Sequence, residues 1–440
     1  MNMTEHWLQQ FQSLDKKNNP HSALDELRHG AFLRWEKAGF PSTRHERWKY
    51  TELMGLAETP FQLPTPSAVL SNTVLQTLLP AVIENSLRAV FVDGEFSTAL
   101  SSKISNNHLH FGSLHDGFKM FPQEFESYLE SIKTPIDSID DLNTSFSRNG
   151  ALIFVPPHVK LPQTIHLIYL YTRTPNQMAH MHNRVHLAEG AEATIIEHHI
   201  GHDDNIYFST TVNHISLEQQ AYLNYYRCQE QGINAYHINR LYLTQARASV
   251  TNLFCLDFKG HLVRNEIEQR FIGQDAECHL HGFYLGKGRQ HVDNYITVDH
   301  QVPHCLSSQR FKSVLDDRSH SVFHGKVKVA KDAQKTDATQ HNANLILSTQ
   351  AQINTEPQLE IFADDVKCAH GAAIGQLDES ALFYLQSRGL DKETAKQMLI
   401  YSFAAEIFLA ISELEIRAFW QAHLNLYFSG IPLHEELITC

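Results

Sequence analysis

Cys368 and His370 stand two residues apart in the run Asp364-Asp365-Val366-Lys367-Cys368-Ala369-His370-Gly371. On an extended strand that spacing projects a thiol and an imidazole from one face. A thiolate suits iron, copper, zinc or persulfide sulfur, and a neighbouring imidazole can be a second ligand or assist thiol deprotonation. Two donors do not complete a metal or cluster site, so a functional pair needs ligands from another coil or another chain. A small buried cysteine beside a hydrogen-bonded histidine is equally compatible with the residues alone.

The chain has 29 histidines, so other metal sites need weighing. His180, His182 and His186 share strand parity with Arg184, and Glu197, His198, His199 and His202 follow one turn later. Such groups on adjacent coils could hold zinc or iron. A strand's solvent face commonly carries the same residue types, however, and ligands of a tight site converge rather than line up. A polar solvent face is the expectation here, and Cys278, His279 and His281 are treated alike. Gly286-Lys287 and Gly325-Lys326 lack the Ser or Thr and the preceding glycine of a phosphate loop, so no ATP site is expected. No GxSxG hydrolase motif occurs either.

The elements that must position Cys368 and His370 change character along the chain. From Thr4 to Ala38, Trp7, Leu8, Phe11, Leu14, Leu24, Leu27, Phe32 and Trp35 fit amphipathic helices broken near Asn18-Asn19-Pro20. Gly39 to Thr51 is an aromatic and basic stretch; without a glycine-rich phosphate loop it reads as a packed connector rather than a base-stacking site, with Pro60, Pro64 and Pro66 as a spacer. Ala89 to Phe96 reads as a strand with an Asp-Gly turn, and Ser113 to Arg148 as helices and loops.

From Ala151 to Asp365 short β-branched and aromatic runs alternate with small polar turns. Leu187–Ala193, Leu217–Leu223, Leu243–Ser249, Phe271–Glu277 and Val329–Lys335 each place a turn between two strand-like runs. The early turns recur at roughly 25 to 30 residues, the range of solenoid repeats, whereas sandwich turns recur about every 8 to 12. A stacked sheet solenoid is therefore expected. Asp378 is a helix N-cap and Gly389 the matching stop, and a second helix starts at Asp391 with a stripe of Ala395, Met398, Leu399, Phe403, Ile407 and Ile411. These helices could cap the solenoid's open end or hold a partner. Trp420, Leu424, Tyr427 and Phe428 add apolar surface beyond a cap's needs and favour a partner. The domain reading is 1–150 helical and mixed, 151–377 solenoid core, and 378–440 helical.

Bulk properties restrict the function classes. At 440 residues and 42% hydrophobic content the chain buries a large core. With 36 basic against 49 acidic residues, its formal charge of -13 argues against a nucleic-acid or anionic-membrane binder. No run of about 18 apolar residues occurs and Met1 to Phe11 lacks signal-peptide regions, so a cytoplasmic protein is expected. The six cysteines, Cys228, Cys255, Cys278, Cys305, Cys368 and Cys440, form no CxxC, and reduced thiols are expected.

Four segments resemble the SufB/SufD family of iron–sulfur cluster assembly proteins: Ser321–Val327, Ala333–Ala338, Pro357–Gly371 and Phe383–Gly389. The Asp-Asp-Val-Lys-Cys-Ala-His-Gly version, with Arg44-His45-Glu46 and Trp48-Lys49-Tyr50-Thr51, is closer to the SufD branch than to the SufB branch. The resemblance covers most of the chain and is weakest between about Pro60 and Phe146. It implies a mainly β fold, a right-handed parallel β-helix flanked by helical N- and C-terminal regions. It implies a non-catalytic subunit of a SufBCD complex that pairs with SufB, binds the SufC ATPase through its C-terminal helices, and forms a homodimer as an alternative assembly. The nascent iron–sulfur cluster is a transient cargo shared with SufB, with His370 as the cluster-assembly ligand or proton-handling group and Cys368 its weaker companion. Reduced flavin is associated with the family's complex, and no residue here identifies its site. Two readings outside the family are an autonomous β-helix metalloprotein and a carbohydrate-active β-helix enzyme, the latter normally secreted.

Overall fold

The structure, a computed structural model, describes residues 3–15, 22–64, 75–76, 78–103, 109–172, 175–203 and 205–427. Asn18, Asn19, Pro20, Pro66, Phe428 and Cys440 lie outside them. The N-terminal helices are α1 (Met3–Asp15), α2 (Ser22–Ala38) and α3 (Met54–Glu58). Strands β1 (Ser86–Val92), β2 (Glu95–Phe96) and β3 (His110–Ser113) precede α4 (Leu114–Met120), α5 (Pro122–Ser131) and α6 (Ser138–Phe146).

An unbroken series of strands follows: β4 (Ala151–Val155), β5 (Thr164–Tyr171), β6 (Gln177–Leu187), β7 (Glu192–Gly201), β8 (Tyr207–Leu217), β9 (Tyr222–Glu230), β10 (Tyr236–Gln245) and β11 (Val250–Asp257). It continues through β12 (Leu262–Phe271), β13 (Glu277–Gly286), β14 (His291–His300), β15 (Leu306–Leu315), β16 (His320–Val329), β17 (Asp337–Ile346), β18 (Gln352–Ile361) and β19 (Lys367–Gly375). The described residues end in α7 (Glu379–Ser387), α8 (Lys392–Ala405) and α9 (Leu414–Tyr427).

Strands from β4 onward alternate between two parallel sheets, even-numbered in one and odd-numbered in the other. This is a parallel β-solenoid flanked by helices, as the turn spacing predicts. β1 and β3, from the preceding region, extend the two sheets by pairing with β5 and β4. Each turn from an even to the next odd strand between β6 and β17 bends through a left-handed residue, in order Gly190, Gln220, Ala248, Asp275, His304 and Lys335. Only the first is glycine, so the repeat is held by turn shape rather than by a glycine motif.

Inward-facing residues of both sheets, such as Ile195, Ile215, Leu253, Ile267, Leu280 and Val298, form one core. Polar residues also stack inside it. Asn183 and Asn213 are in register on β6 and β8, and Asn239, Asn265 and Asn294 are in register on β10, β12 and β14, the second run being offset by two residues from the first. Asn183 Nδ2 donates to Asn213 Oδ1 at 2.8 Å, Asn213 to Asn239 at 3.0 Å, and Asn265 to Asn294 at 3.0 Å. These amide bonds link neighbouring coils, while Asn265 Oδ1 and Asn294 Nδ2 have no partner, so the stack ties coils together at the cost of two buried polar atoms. At Gly282 a Cβ would fall 2.1 Å from the Phe311 ring, so the glycine makes room for that ring in the lumen.

The two outer faces are covered by the ends of the chain. Trp7, Phe32, Trp48 and Leu56 pack with Phe208, Ile238 and Leu262 of the even sheet. The aromatic and basic stretch is the packed connector expected. Arg47 bonds Glu266 at 3.0 Å and Glu268 at 2.8 Å, and the Arg264 guanidinium lies 4.0 Å from the centre of the Trp48 ring. On the odd sheet Ile407, Phe408, Trp420 and Leu424 pack against Ile196, Tyr226, Phe254 and Phe283. This corrects one expectation: Trp420 and Leu424 are fully buried, and Tyr427 stacks on Phe258 at 4.7 Å, so that surface is spent on the solenoid. Helices α8 and α9 lie along the side of the solenoid, where the helical stripe finds a flat apolar sheet face.

Glu266 sits in the buried charge network under the N-terminal region, with Arg264 Nε at 2.7 Å and Arg240 at 3.3 Å. Burial pushes its carboxyl up, but Arg240, Arg264 and Arg47 outweigh that and hold it well below the usual carboxylate range. Its contribution is therefore complete above the unfolded value of about 4 and is lost as pH falls below it. Glu266→Gln removes the carboxylate that Arg240 and Arg264 share, leaving Arg240 to Asp137 and Asp140 and Arg264 to Asp293, and is expected to cost about 1.5–3 kcal/mol in urea unfolding at pH 7. The gap to the parent protein should narrow at pH 3; an equal gap at both values would remove Glu266 from this role.

Candidate functional site at the open end of the solenoid

β18 and β19 are the edge strands of their sheets, each paired on one side only. On β19 Cys368 stands in register with Ala338, and His370 with Gln340. Ala338 and Gln340 are buried on the lumen side of β17, so thiol and imidazole share the lumen-facing side of the last coil. Cys368 is half-buried against the core and His370 is exposed. Burial, then repulsion from Asp337, pushes the Cys368 thiol up, so in the isolated chain it is a protonated thiol rather than a ready thiolate.

Behind His370 the same column continues inward through Gln340 and Gln309. Both amides are buried and neither side chain finds a hydrogen-bond partner, which leaves an unpaired polar column ending at the exposed imidazole. Asp365 is engaged with Lys335, and its N–H donates to Gln334 Oε1 at 2.9 Å. Among the described residues no third Cys, His, Asp or Glu joins Cys368 and His370 at ligand distance.

The other histidines divide by strand parity. His180, His182, Arg184 and His186 share one face of β6, as their spacing requires, but helices rather than solvent cover it. Arg184 Nε donates to Glu124 Oε2 at 3.2 Å, His186 also engages Glu124, His182 packs edge-on to Tyr128, and His180 Nδ1 meets Thr210 Oγ1 at 2.7 Å. These groups dock α5 and α6. Glu197 and His199 turn into the lumen, 2.7 Å apart, and Tyr225 donates its hydroxyl to Glu197 at 2.5 Å. His202 lies beyond the end of β7.

Cys278 faces the lumen while His279 and His281 face outward, His279 to Ser308 at 2.9 Å and His281 stacked on Phe254 at 4.6 Å, so thiol and imidazoles are on opposite faces. His198 turns outward to Cys228 and Glu230, two residues that the sequence spacing did not single out. The available signal was the coil repeat itself, which sets Cys228 beside His198.

A family model described as the SufBD core domain of SUF-system FeS cluster assembly matches residues 170–403, and one for the SufBD N-terminal region matches residues 1–167. The chain belongs to the SufBD family. It is similar to the iron–sulfur cluster assembly protein SufD of Escherichia coli K12, with 29% identity over 94% of this chain and 93% of the relative. A SufBD family protein of Synechocystis is 29% identical over 88% of this chain and 87% of its own length. The chloroplastic protein ABCI7 of Arabidopsis thaliana is 30% identical over 86% and 80%. This SufBD protein is thus an iron–sulfur cluster assembly protein. Among its described residues no helix is long and apolar enough to cross a membrane.

Burial orders the thiols of this SufBD chain: Cys228, Cys255, Cys278 and Cys305 are buried and Cys368 is half-exposed. In a Cys440→Ser variant, Ellman's reagent should label Cys368 first at pH 7, and more slowly than a free model thiol because its pKa is raised. Faster labelling than the model thiol would show a thiolate already stabilised in the chain.

Proposed function

We propose that this chain is the SufD-type, non-catalytic subunit of a SufBCD-type complex, with the open end of its solenoid completed by SufB. The observation that carries this is the pairing of two unpartnered sheet edges with an incomplete ligand set at one place. Edge strands present unpaired N–H and C=O groups and are templates for a further strand. Phe362 and Ile374 are 61% and 53% exposed beside them, so the end is apolar as well as unpaired.

A nascent iron–sulfur cluster is the cargo of the joined site. His370 would supply a nitrogen ligand or carry a proton, Cys368 would stand behind it, and the remaining ligands would come from SufB. A homodimer of this chain closing the same edges is the alternative assembly. Reduced flavin belongs to the complex rather than to residues singled out here, and the complex works in the cytoplasm.

The absence of a phosphate-loop motif fits an ATPase on a separate subunit, SufC. Its docking surface on this chain is the apolar face that the solenoid leaves uncovered. α7 has no buried residue, and Phe383, Leu409 and Leu414 are exposed, whereas Trp420 and Leu424 are not. ATP-driven closure of two SufC subunits would move the SufB–SufD pair and open the site that includes His370.

His370→Ala is expected to leave the complex assembled and to stop cluster maturation; full complementation in cells that depend on the pathway would contradict the role given to His370. Phe383→Asp combined with Leu414→Asp is expected to abolish capture of SufC with an unchanged melting temperature. Retained capture would move the docking surface elsewhere.

A further inference from the structure

A second donor set lies far from the open end, where α9 crosses the side of the solenoid. His198 and Cys228 are fully buried and in register on β7 and β9, and Glu230 stands two residues further along the same face. A ring nitrogen, a sulfur and a carboxylate oxygen from these three lie within 4.8 Å of one another. A fourth donor comes from α9: His423 Nε2 is 3.5 Å from Glu230 Oε2.

His423 and Glu230 are oriented by neighbours outside the set. His423 Nδ1 lies 2.9 Å from the Phe419 carbonyl, which can only accept, so Nδ1 carries the proton and Nε2 is a lone pair facing the carboxylate. The Tyr427 hydroxyl donates to Glu230 Oε1 at 3.1 Å, leaving Oε2 toward His198 Nε2 at 2.8 Å. An imidazole and a carboxylate held by outer partners beside a thiol are the outer-shell pattern of a metal site.

We propose that His198, Cys228, Glu230 and His423 bind one divalent transition cation, Zn2+ or Fe2+, which fastens α9 to the side of the solenoid. Two nitrogens, a sulfur and an oxygen suit such cations and disfavour Mg2+ and Ca2+, which take oxygen ligands. Bonds of about 2.0–2.3 Å would draw the four donors together through side-chain movements alone. On coordination the Cys228 thiol loses its proton to solvent and becomes the thiolate ligand. The site shares no residue with Cys368 and His370, so it stands or falls independently of the cluster-assembly reading.

Co2+ titration of the metal-free full-length chain tests the proposal, since a cobalt–thiolate bond gives a near-ultraviolet charge-transfer band. About one equivalent should produce the band, and it should persist in a Cys368→Ser, His370→Ala chain and vanish in Cys228→Ser. His423→Gln, a change on the partly exposed helix that spares the sheet, should weaken binding by at least about tenfold. It should also abolish the rise in melting temperature that Zn2+ gives the parent chain, a readout that remains if Cys228→Ser folds poorly. No band in the parent chain, a band unaffected by His423→Gln, or a band lost in the Cys368→Ser, His370→Ala chain would overturn the proposal. The last result would assign the metal to the open end and leave the cluster-assembly reading intact.

Discussion

The in-register hydrogen-bond ladder between parallel coils is the constraint on which everything else in this molecule depends. It requires that each residue be followed 26 to 32 positions later by one that can occupy the same place in the next coil. That requirement explains the asparagine stack inside the lumen, where Asn183 donates to Asn213, Asn213 to Asn239, and Asn265 to Asn294. It also explains why the stack stops. At the next registered position stands Phe323, and beyond it Thr355, so the polar seam gives way to an aromatic plug on the even sheet. On the odd sheet the polar column runs the other way, through Gln309 and Gln340 to His370.

A solenoid built this way has sides and ends with different fates. The sides are flat sheet faces, and the two ends of the chain cover them, one with a buried network of arginines and carboxylates and the other with aromatic and aliphatic side chains. The last coil cannot be satisfied by the same device, because its free groups are backbone N–H and C=O. Within the described chain nothing is stacked beyond β18 and β19. The molecule thus concentrates unpaired backbone and exposed apolar groups at the end that also carries Cys368 and His370.

Much of this was legible in the sequence because its period is long and regular. The spacing of the turns pointed to stacked coils, and the Cys-x-His spacing placed two side chains on one face, which the register of Cys368 and His370 with Ala338 and Gln340 reproduces. What one-dimensional patterns could not show was which polar strand face would be covered. His180 to His186 read as a solvent face and instead dock α5 and α6. Trp420 and Leu424 read as partner surface because their apolar stripe carries no mark of its counterpart, which is the outer face of the odd sheet. Nor does spacing along a strand reveal His198 beside Cys228, a contact made across coils.

A second chain that completes the open end of the solenoid would give hydrogen-bond partners to the free edges of β18 and β19. Hydrogen–deuterium exchange of the chain alone and in its co-purified complex measures this most directly, because the edge amides of 352–361 and 367–375 report whether a strand has been added. Fast exchange is expected at these edges in the isolated monomer and strong protection in the complex, with the interior strands β10 to β14 unchanged. Edges that exchange equally fast in both states would contradict completion by a second chain.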